Sequence, residues 1–377
     1  MVVYLDCNAT TPIEPPVREV VMRFMADEFG NSGSRTHEYG TRAKQAVQRA
    51  REQVAAVVKA KPDEVIFTSG ATESNNIALL GLAEHGEKTG RKHLISTTIE
   101  HKAVLEPLEF LARHGFEVTL LPPTEGGWVE SDAIKKALRK DTMLVSVMHA
   151  NNETGVVQPL DEITEALIDH PAFLHVDAAQ TFGKVIEPLK HTRIDLISVS
   201  GHKVYAPKGV GVLIARRRGF TRLPLQPLTF GGGQERGLRP GTLPVPLVAG
   251  IGLAAELALQ HADERAAVCK AYRRDVLNAL TPLNPDFNGD QTRMLPHTLN
   301  ISFPGLDSEA LMVALKPQIA ISNGSACTSH SYQPSHVLQA MRIPTKRIQE
   351  AVRLSWCHMT EEVDWSEIAR TIKRLAM

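Results

Sequence analysis

The sequence predicts an α/β fold, in which a mostly parallel sheet of seven strands is covered on both faces by helices and followed by a smaller α+β unit. Three observations carry this. Between residues 64 and 216, short apolar runs rich in β-branched residues alternate with helical patterns. Those runs are apolar almost throughout, not at every second position, which marks strands buried on both faces. After about residue 255 the alternation gives way to a long helical stretch and a few scattered strands. The larger unit is placed at residues 15–255, and the smaller one combines 1–14 with 256–377.

Taken in order, residues 41–60 (TRAKQAVQRAREQVAAVVKA) place Ala43, Ala46, Val47, Ala50, Val54, Val57 and Val58 on one face of a helix. EVIFTSG (64–70) reads as a strand and SNNIALLGLAEHG (74–86) as a helix. KHLISTTIEH (92–101) is a strand and KAVLEPLEFLARHG (102–115) a helix. EVTLLPP (117–123) is a strand and SDAIKKALRK (131–140) a helix. MLVSVMHANNETG (143–155) and FLHVDAAQ (173–180) are strands with a helix between them. DLISVSGHK (195–203) and GVGVLIAR (209–216) complete the seven. Beyond them come one long helical stretch (246–281), LNISFPG (299–305), a helix at 307–315, QIAISNGSACTS (318–329), the strand VRLSWC (352–357) and a terminal helix at 361–376.

Composition narrows the function classes. Forty-two basic and 42 acidic residues cancel, so net charge gives no argument for nucleic acid or an acidic membrane as a ligand. Arg216, Arg217 and Arg218 form a local run that reads as a solvated strand end. The four cysteines, Cys7, Cys269, Cys327 and Cys357, form no C-x-x-C pair. They therefore suggest neither a metal site nor a disulfide scaffold, and free thiols fit a reducing compartment. The N-terminus lacks the pattern of a signal peptide. Val245–Leu259, the most apolar stretch, holds Pro246 and Glu256 and is too short to span a bilayer. The chain reads as cytoplasmic.

In open α/β sheets, ligands sit beyond the carboxyl ends of the strands. Five such ends carry polar residues. Thr68–Glu73 runs from a strand into a helix, and Gly70, Ala71 and Thr72 there suit either an ordinary cap or a phosphate. His101 follows the second strand. Asn152 follows the fourth and could simply make a turn. Asp177 follows buried apolar residues, with Gln180 one turn later, and a buried carboxylate is costly unless paired. Ser200, His202 and Lys203 end the sixth strand, where a desolvated amine would have a lowered pKa.

Each signal is weak singly, but together they name pyridoxal phosphate. That cofactor needs a lysine for a Schiff base, an acid opposite the pyridine nitrogen, a phosphate cup and a flat group against the ring. Lys203, Asp177, the helix start at Thr72 and His101 supply these. Cys327 lies in SNGSACTSH (322–330), among small and polar residues without apolar periodicity. That context suits an exposed nucleophile, whereas Cys269 and Cys357 read as small buried hydrophobes.

The motifs YLDCNATTP (4–12), FTSGATESNN (67–76), EHKAV (100–104), HANNETGVVQ (149–158), HVDAAQ (175–180), SGHKVYAPKG (200–209), GGGQERGLRPGT (231–242), SNGSACTS (322–329) and VRLS (352–355) resemble the NifS/IscS-type cysteine desulfurases. These are fold-type I, class V pyridoxal-phosphate enzymes, and the match runs nearly end to end. The resemblance implies that Lys203 carries the cofactor and removes the substrate's α-proton. Asp177 would pair with the pyridine nitrogen, and His101 would stack on the ring and act as acid or base. Gln180 and Asn152 would contact the phenolic oxygen or the substrate. Ala71, Thr72, Ser200 and His202 would hold the phosphate. Thr242 would reach the cofactor of the other subunit, implying a homodimer. Arg353 would bind the carboxylate of L-cysteine, and Cys327 would take its sulfur as a persulfide, releasing L-alanine and donating the sulfur to a protein acceptor. No metal is implied.

The sequence departs from the family pattern at Pro240, where serine is common, and at His330 and Tyr332, where smaller residues are usual. It also stops at Met377, where iron–sulfur members carry a longer tail. The expected destination of the sulfur is therefore iron–sulfur assembly, tRNA thiolation or, in a specialised member, DNA phosphorothioation. Selenocysteine lyase, cysteine-sulfinate desulfinase and class V aminotransferase are rival activities on the same fold, and an aminotransferase would not need the Cys327 thiol. A non-catalytic sulfur carrier or assembly subunit would not need Lys203, Asp177, His101 and Cys327 together.

Overall fold

The computed structural model describes residues 2–323 and 334–376. The chain begins with a short strand, β1 (Val3–Tyr4), and then builds the predicted sheet from β2 (Val65–Thr68), β3 (His93–Thr97), β4 (Glu117–Leu121), β5 (Thr142–Met148), β6 (Phe173–Asp177), β7 (Leu196–Ser200) and β8 (Gly211–Ala215). The order is β2-β8-β7-β6-β5-β3-β4. Strands β3 to β7 run parallel, while β8 is antiparallel to both β2 and β7.

Alternation at period two sorts the strand residues to two cores. Phe67, Ile95, Val145, Leu174, Ile197 and Val212 face one core, which the helices Glu38–Val57 and Val245–Gln260 complete. Ile66, Leu94, Leu144, Phe173, Leu196 and Leu213 face the other, under the helices Ala71–Leu80 and Lys102–Arg113. Each fully buried large apolar side chain contributes about 1.5–3 kcal/mol. Both faces being covered explains why the strands other than the edge strand β4 read as unbroken apolar runs.

A third apolar core gathers around β10 (Thr298–Ser302), which pairs antiparallel with β9 (Asp286–Phe287) and β12 (Ala351–Ser355). Strand β1 pairs in parallel with β11 (Ile319–Ala320), so the first residues of the chain join its last third. Among the described residues no single helix is long and apolar enough to cross a membrane.

Several expected elements differ in detail. The predicted helix 74–86 begins earlier, at Ala71, and breaks after Leu80 into a second helix, Ala83–Thr89. The long stretch 246–281 is two helices, Val245–Gln260 and Ala262–Leu280, with a bend of 75° at His261. Asp263 and Glu264 favour a fresh helix start there, where the N-terminal dipole is positive. The largest correction concerns the arginine run. Arg216 is buried, and its guanidinium donates to the carbonyls of Val58, Leu189, His191 and Ile194. Arg217 pairs with Asp63 and Arg218 with Asp195. The run clasps loops at the amino-terminal edge of the sheet because each charge has found partners; it is not a solvated strand end.

Candidate active site

The carboxyl ends of β2, β3, β5, β6 and β7 converge on one cleft of about 510 Å³. Of the residues singled out from the sequence, Ala71, Thr72, His101, Asn152, Asp177, Gln180, Ser200, His202, Lys203 and Arg353 all line it. Thr242 is exposed and does not line it. Cys327 lies outside the described residues.

Lys203 ends a short turn of helix (Gly201–Lys203) directly after β7. Its Nζ donates to the carbonyl of Asn8 and, at 2.7 Å, to that of Ala9. The amine is thus held by the N-terminal segment, which crosses the cleft. Gln180 Nε2 donates to the same Asn8 carbonyl at 3.0 Å. Asp177 is buried at the end of β6. Its Oδ2 accepts from Asn75 Nδ2 at 2.7 Å, and its Oδ1 accepts from the Ala179 N–H at 2.9 Å. These donors fix the carboxylate and satisfy its buried oxygens.

The helix Ala71–Leu80 starts at Gly70, and no described side chain caps it. Its first N–H groups therefore lack side-chain acceptors at the point where the dipole is positive. A Cβ built on Gly70 would meet only Ser200 Oγ, at 3.7 Å, so the space before the helix start is open. His202 shares a hydrogen bond with Thr10 Oγ1 at 3.1 Å. Burial, with help from the charges of Lys203 and Lys208, pushes its pKa down to about 4, so the ring is neutral at pH 7.

His101 caps the helix Lys102–Arg113, and its Nδ1 accepts from the Ala103 N–H at 3.1 Å. In the neutral ring, which burial favours, the proton therefore sits on Nε2. Glu100, behind it, is fully buried. Its Oε1 accepts from Thr97 Oγ1 (2.7 Å) and the Met148 N–H (2.9 Å), and burial raises its pKa to about 8.

Arg353 stands on β12 and is buried. Its Nη1 donates to the Asn152 carbonyl at 2.9 Å and its Nη2 to Asp6 Oδ1 at 2.6 Å. Cys7, Cys269 and Cys357 are buried, as two of them were expected to be.

The cleft fits a phosphorylated pyridine carrying an aldehyde. An open helix start with a serine hydroxyl beside it suits the phosphate. A fixed buried carboxylate suits a protonated ring nitrogen, and a lysine amine stands at the same cleft. Gln180 Oε1 and Asn75 Oδ1 are buried without a hydrogen-bond partner among the described residues, which leaves polar capacity for a ligand.

Comparison with known proteins places the chain in a family. Residues 3–366 match the model of the family described as aminotransferase class-V. The chain belongs to the class-V aminotransferase family. Within that family it is 43% identical over 365 residues to "Cysteine desulfurase IscS" of Vibrio cholerae, covering 96% of this chain and 89% of the relative. A solved structure titled "NIFS-LIKE PROTEIN" superposes with a TM-score of 0.90 at 37% identity, covering 100% of this chain and 98% of that one. DndA of Streptomyces lividans superposes at 0.83 with 51% identity, covering 93% and 98%.

Sequence reasoning missed Asn8, Asn75, Asp6 and Glu100. Asn75 was within reach, because it follows Ala71 by four residues and so shares the face of the helix that starts at the cleft.

Proposed function

We propose that this protein is a pyridoxal-phosphate-dependent cysteine desulfurase. It takes the sulfur of L-cysteine onto Cys327 as a persulfide, releases L-alanine and passes the sulfur to a protein acceptor. The observation that carries this reading is the convergence of Lys203, Asp177, His101 and the open helix start on one cleft with Arg353.

Pyridoxal phosphate, when bound, supplies an electron sink conjugated to the substrate's α-carbon. The rest falls to residues of the chain. Lys203 would hold the cofactor and would move the substrate's α-proton as a base. The Asn8 and Ala9 carbonyls provide acceptors that keep its amine at the cleft. Asp177 holds a proton at the ring nitrogen, with Asn75 and Ala179 fixing its two oxygens. The Ala71–Thr72 helix start, Ser200 and neutral His202 bind phosphate. His101 holds a proton at Nε2, because Nδ1 is engaged by the backbone. Arg353 receives the α-carboxylate. Cys327 attacks the substrate sulfur: an S–S bond forms, the Cβ–S bond breaks, and the carbon keeps the electron pair and takes up a proton. We infer in addition that the enzyme is a homodimer, with Thr242 serving the partner's cofactor. Its exposure away from the cleft of its own chain supports this.

The test is sulfide and alanine release from L-cysteine with a thiol reductant, comparing wild type with Cys327→Ser and Lys203→Ala. The reading expects both products from wild type, sulfide lost in Cys327→Ser, and both products lost together with cofactor absorbance in Lys203→Ala. Wild-type sulfide output in Cys327→Ser would refute the persulfide role. A cofactor-loaded wild type that consumes no L-cysteine would refute the activity.

A further inference from the structure

Asp6 has no role in the chemistry above, yet its carboxylate contacts the residue that recognises the substrate. Arginine carries a rotamer-rich side chain and must be pinned if its fork is to meet a carboxylate in one geometry. On Arg353, Nη1 donates one N–H to the Asn152 carbonyl and Nη2 one to Asp6 Oδ1, and each nitrogen carries a second N–H. The third nitrogen, Nε, is buried without a partner among the described residues, and Arg353 lines the cleft.

Asp6 is in turn tied to its neighbours through Oδ1 and its backbone. Ser322 Oγ donates to the same Oδ1 at 3.0 Å. The backbone of Asp6 forms a parallel bridge with Ser355, two residues beyond Arg353. Tyr4 Oη donates to the Asp6 carbonyl at 2.9 Å. The Ser322 backbone closes the ring by bridging Arg353 itself. These contacts fix the carboxylate beside Arg353, where it acts as a strut.

We propose that Asp6 is a positioning residue for substrate recognition, holding the Arg353 guanidinium so that its remaining N–H groups meet the α-carboxylate of an amino-acid substrate. This rests on the desulfurase reading, which supplies the amino-acid substrate. The opposite role would make Asp6 a competitor that occupies Arg353 until the substrate displaces it. The two differ in sign, because a strut tightens substrate binding and a competitor weakens it.

The experiment titrates holoenzyme with L-alanine, followed by cofactor absorbance, in wild type, Asp6→Ala and Asp6→Asn. Cysteamine, which has the amine and thiol of L-cysteine but no carboxylate, is the second probe. Asp6→Ala is expected to weaken L-alanine binding about tenfold or more and to leave cysteamine within about twofold. Asp6→Asn keeps an oxygen acceptor for both Arg353 and Ser322, so it recovers most of the loss and guards against a folding defect in the alanine variant. L-Alanine binding that is unchanged or tighter in Asp6→Ala would overturn the proposal, as would equal weakening of cysteamine. Wild-type holoenzyme that binds cysteamine but not L-alanine would remove the desulfurase reading and this inference with it.

Discussion

Replacing Gly211 with alanine probes the phosphate cup from beneath. Gly211 opens β8 and pairs with Thr68 on one side and Ser200 on the other, so it lies directly under the turn that leads into the Ala71 helix. A methyl group there would stand 2.5 Å from Gly70 Cα and 2.6 Å from the Val199 carbonyl oxygen. Ordinary contact begins near 3.4 Å. Gly70 must therefore retreat by about an ångström, carrying the open N–H groups of the helix start with it. Overpacking of this kind costs about 1–3 kcal/mol. If about 1.4 kcal/mol of it falls on cofactor binding, affinity drops about tenfold. The assay is titration of apoprotein with pyridoxal phosphate, followed by absorbance, beside urea unfolding of the apoprotein. We expect a dissociation constant about tenfold higher or more. An unchanged constant would refute the placement of the phosphate at this helix start.

Three further predictions follow from other parts of the molecule. Arg216→Met strands four backbone carbonyls that the guanidinium now satisfies, so it should lower unfolding stability by about 3–5 kcal/mol in urea while leaving the holoenzyme spectrum intact. Glu100 has a folded pKa of about 8 against 4.5 unfolded, chiefly through burial. The folded state thus keeps a proton that the unfolded state releases, and this group makes stability fall as pH rises from about 5 to 8. Glu100→Gln should flatten that slope, read as urea midpoints across the same range. Arg353→Lys loses the planar fork and should raise KM for L-cysteine about tenfold, with a smaller effect on kcat.

Much of the fold and half of the chemistry were legible in the sequence. Six of the strands show as apolar runs because both faces of the sheet are covered there, while the edge strand Glu117–Leu121 holds no fully buried residue. Lys203 and Asp177 show because a charge directly after such a run needs a partner or a purpose. What did not show falls into three kinds. The Asn8 and Ala9 carbonyls that hold Lys203 are backbone atoms, which carry no residue type, and they reach the cleft from nearly 200 positions away. The ring of Asp6, Arg353 and Ser322 joins the two ends of the chain through β1, β11 and β12, a closure that local pattern does not encode. Arg216 reads as one of a solvated run because three adjacent charges are usually a surface feature, and only the fold supplies four carbonyls around one of them. The break at His261 was missed because the helical period continues across it, although the acids at 263 and 264 mark a new start.

The central claim is that sulfur leaves L-cysteine onto Cys327. The most direct measurement is a single turnover: holoenzyme with one equivalent of L-cysteine and no reductant, trapped with an alkylating agent and mapped by peptide mass. Cys7, Cys269 and Cys357 are buried, which shields them from added reagents in the folded protein. The account predicts one added sulfur atom on the peptide containing Cys327 and an equal amount of L-alanine. L-Alanine formed with the sulfur on another peptide, or on none, would contradict it.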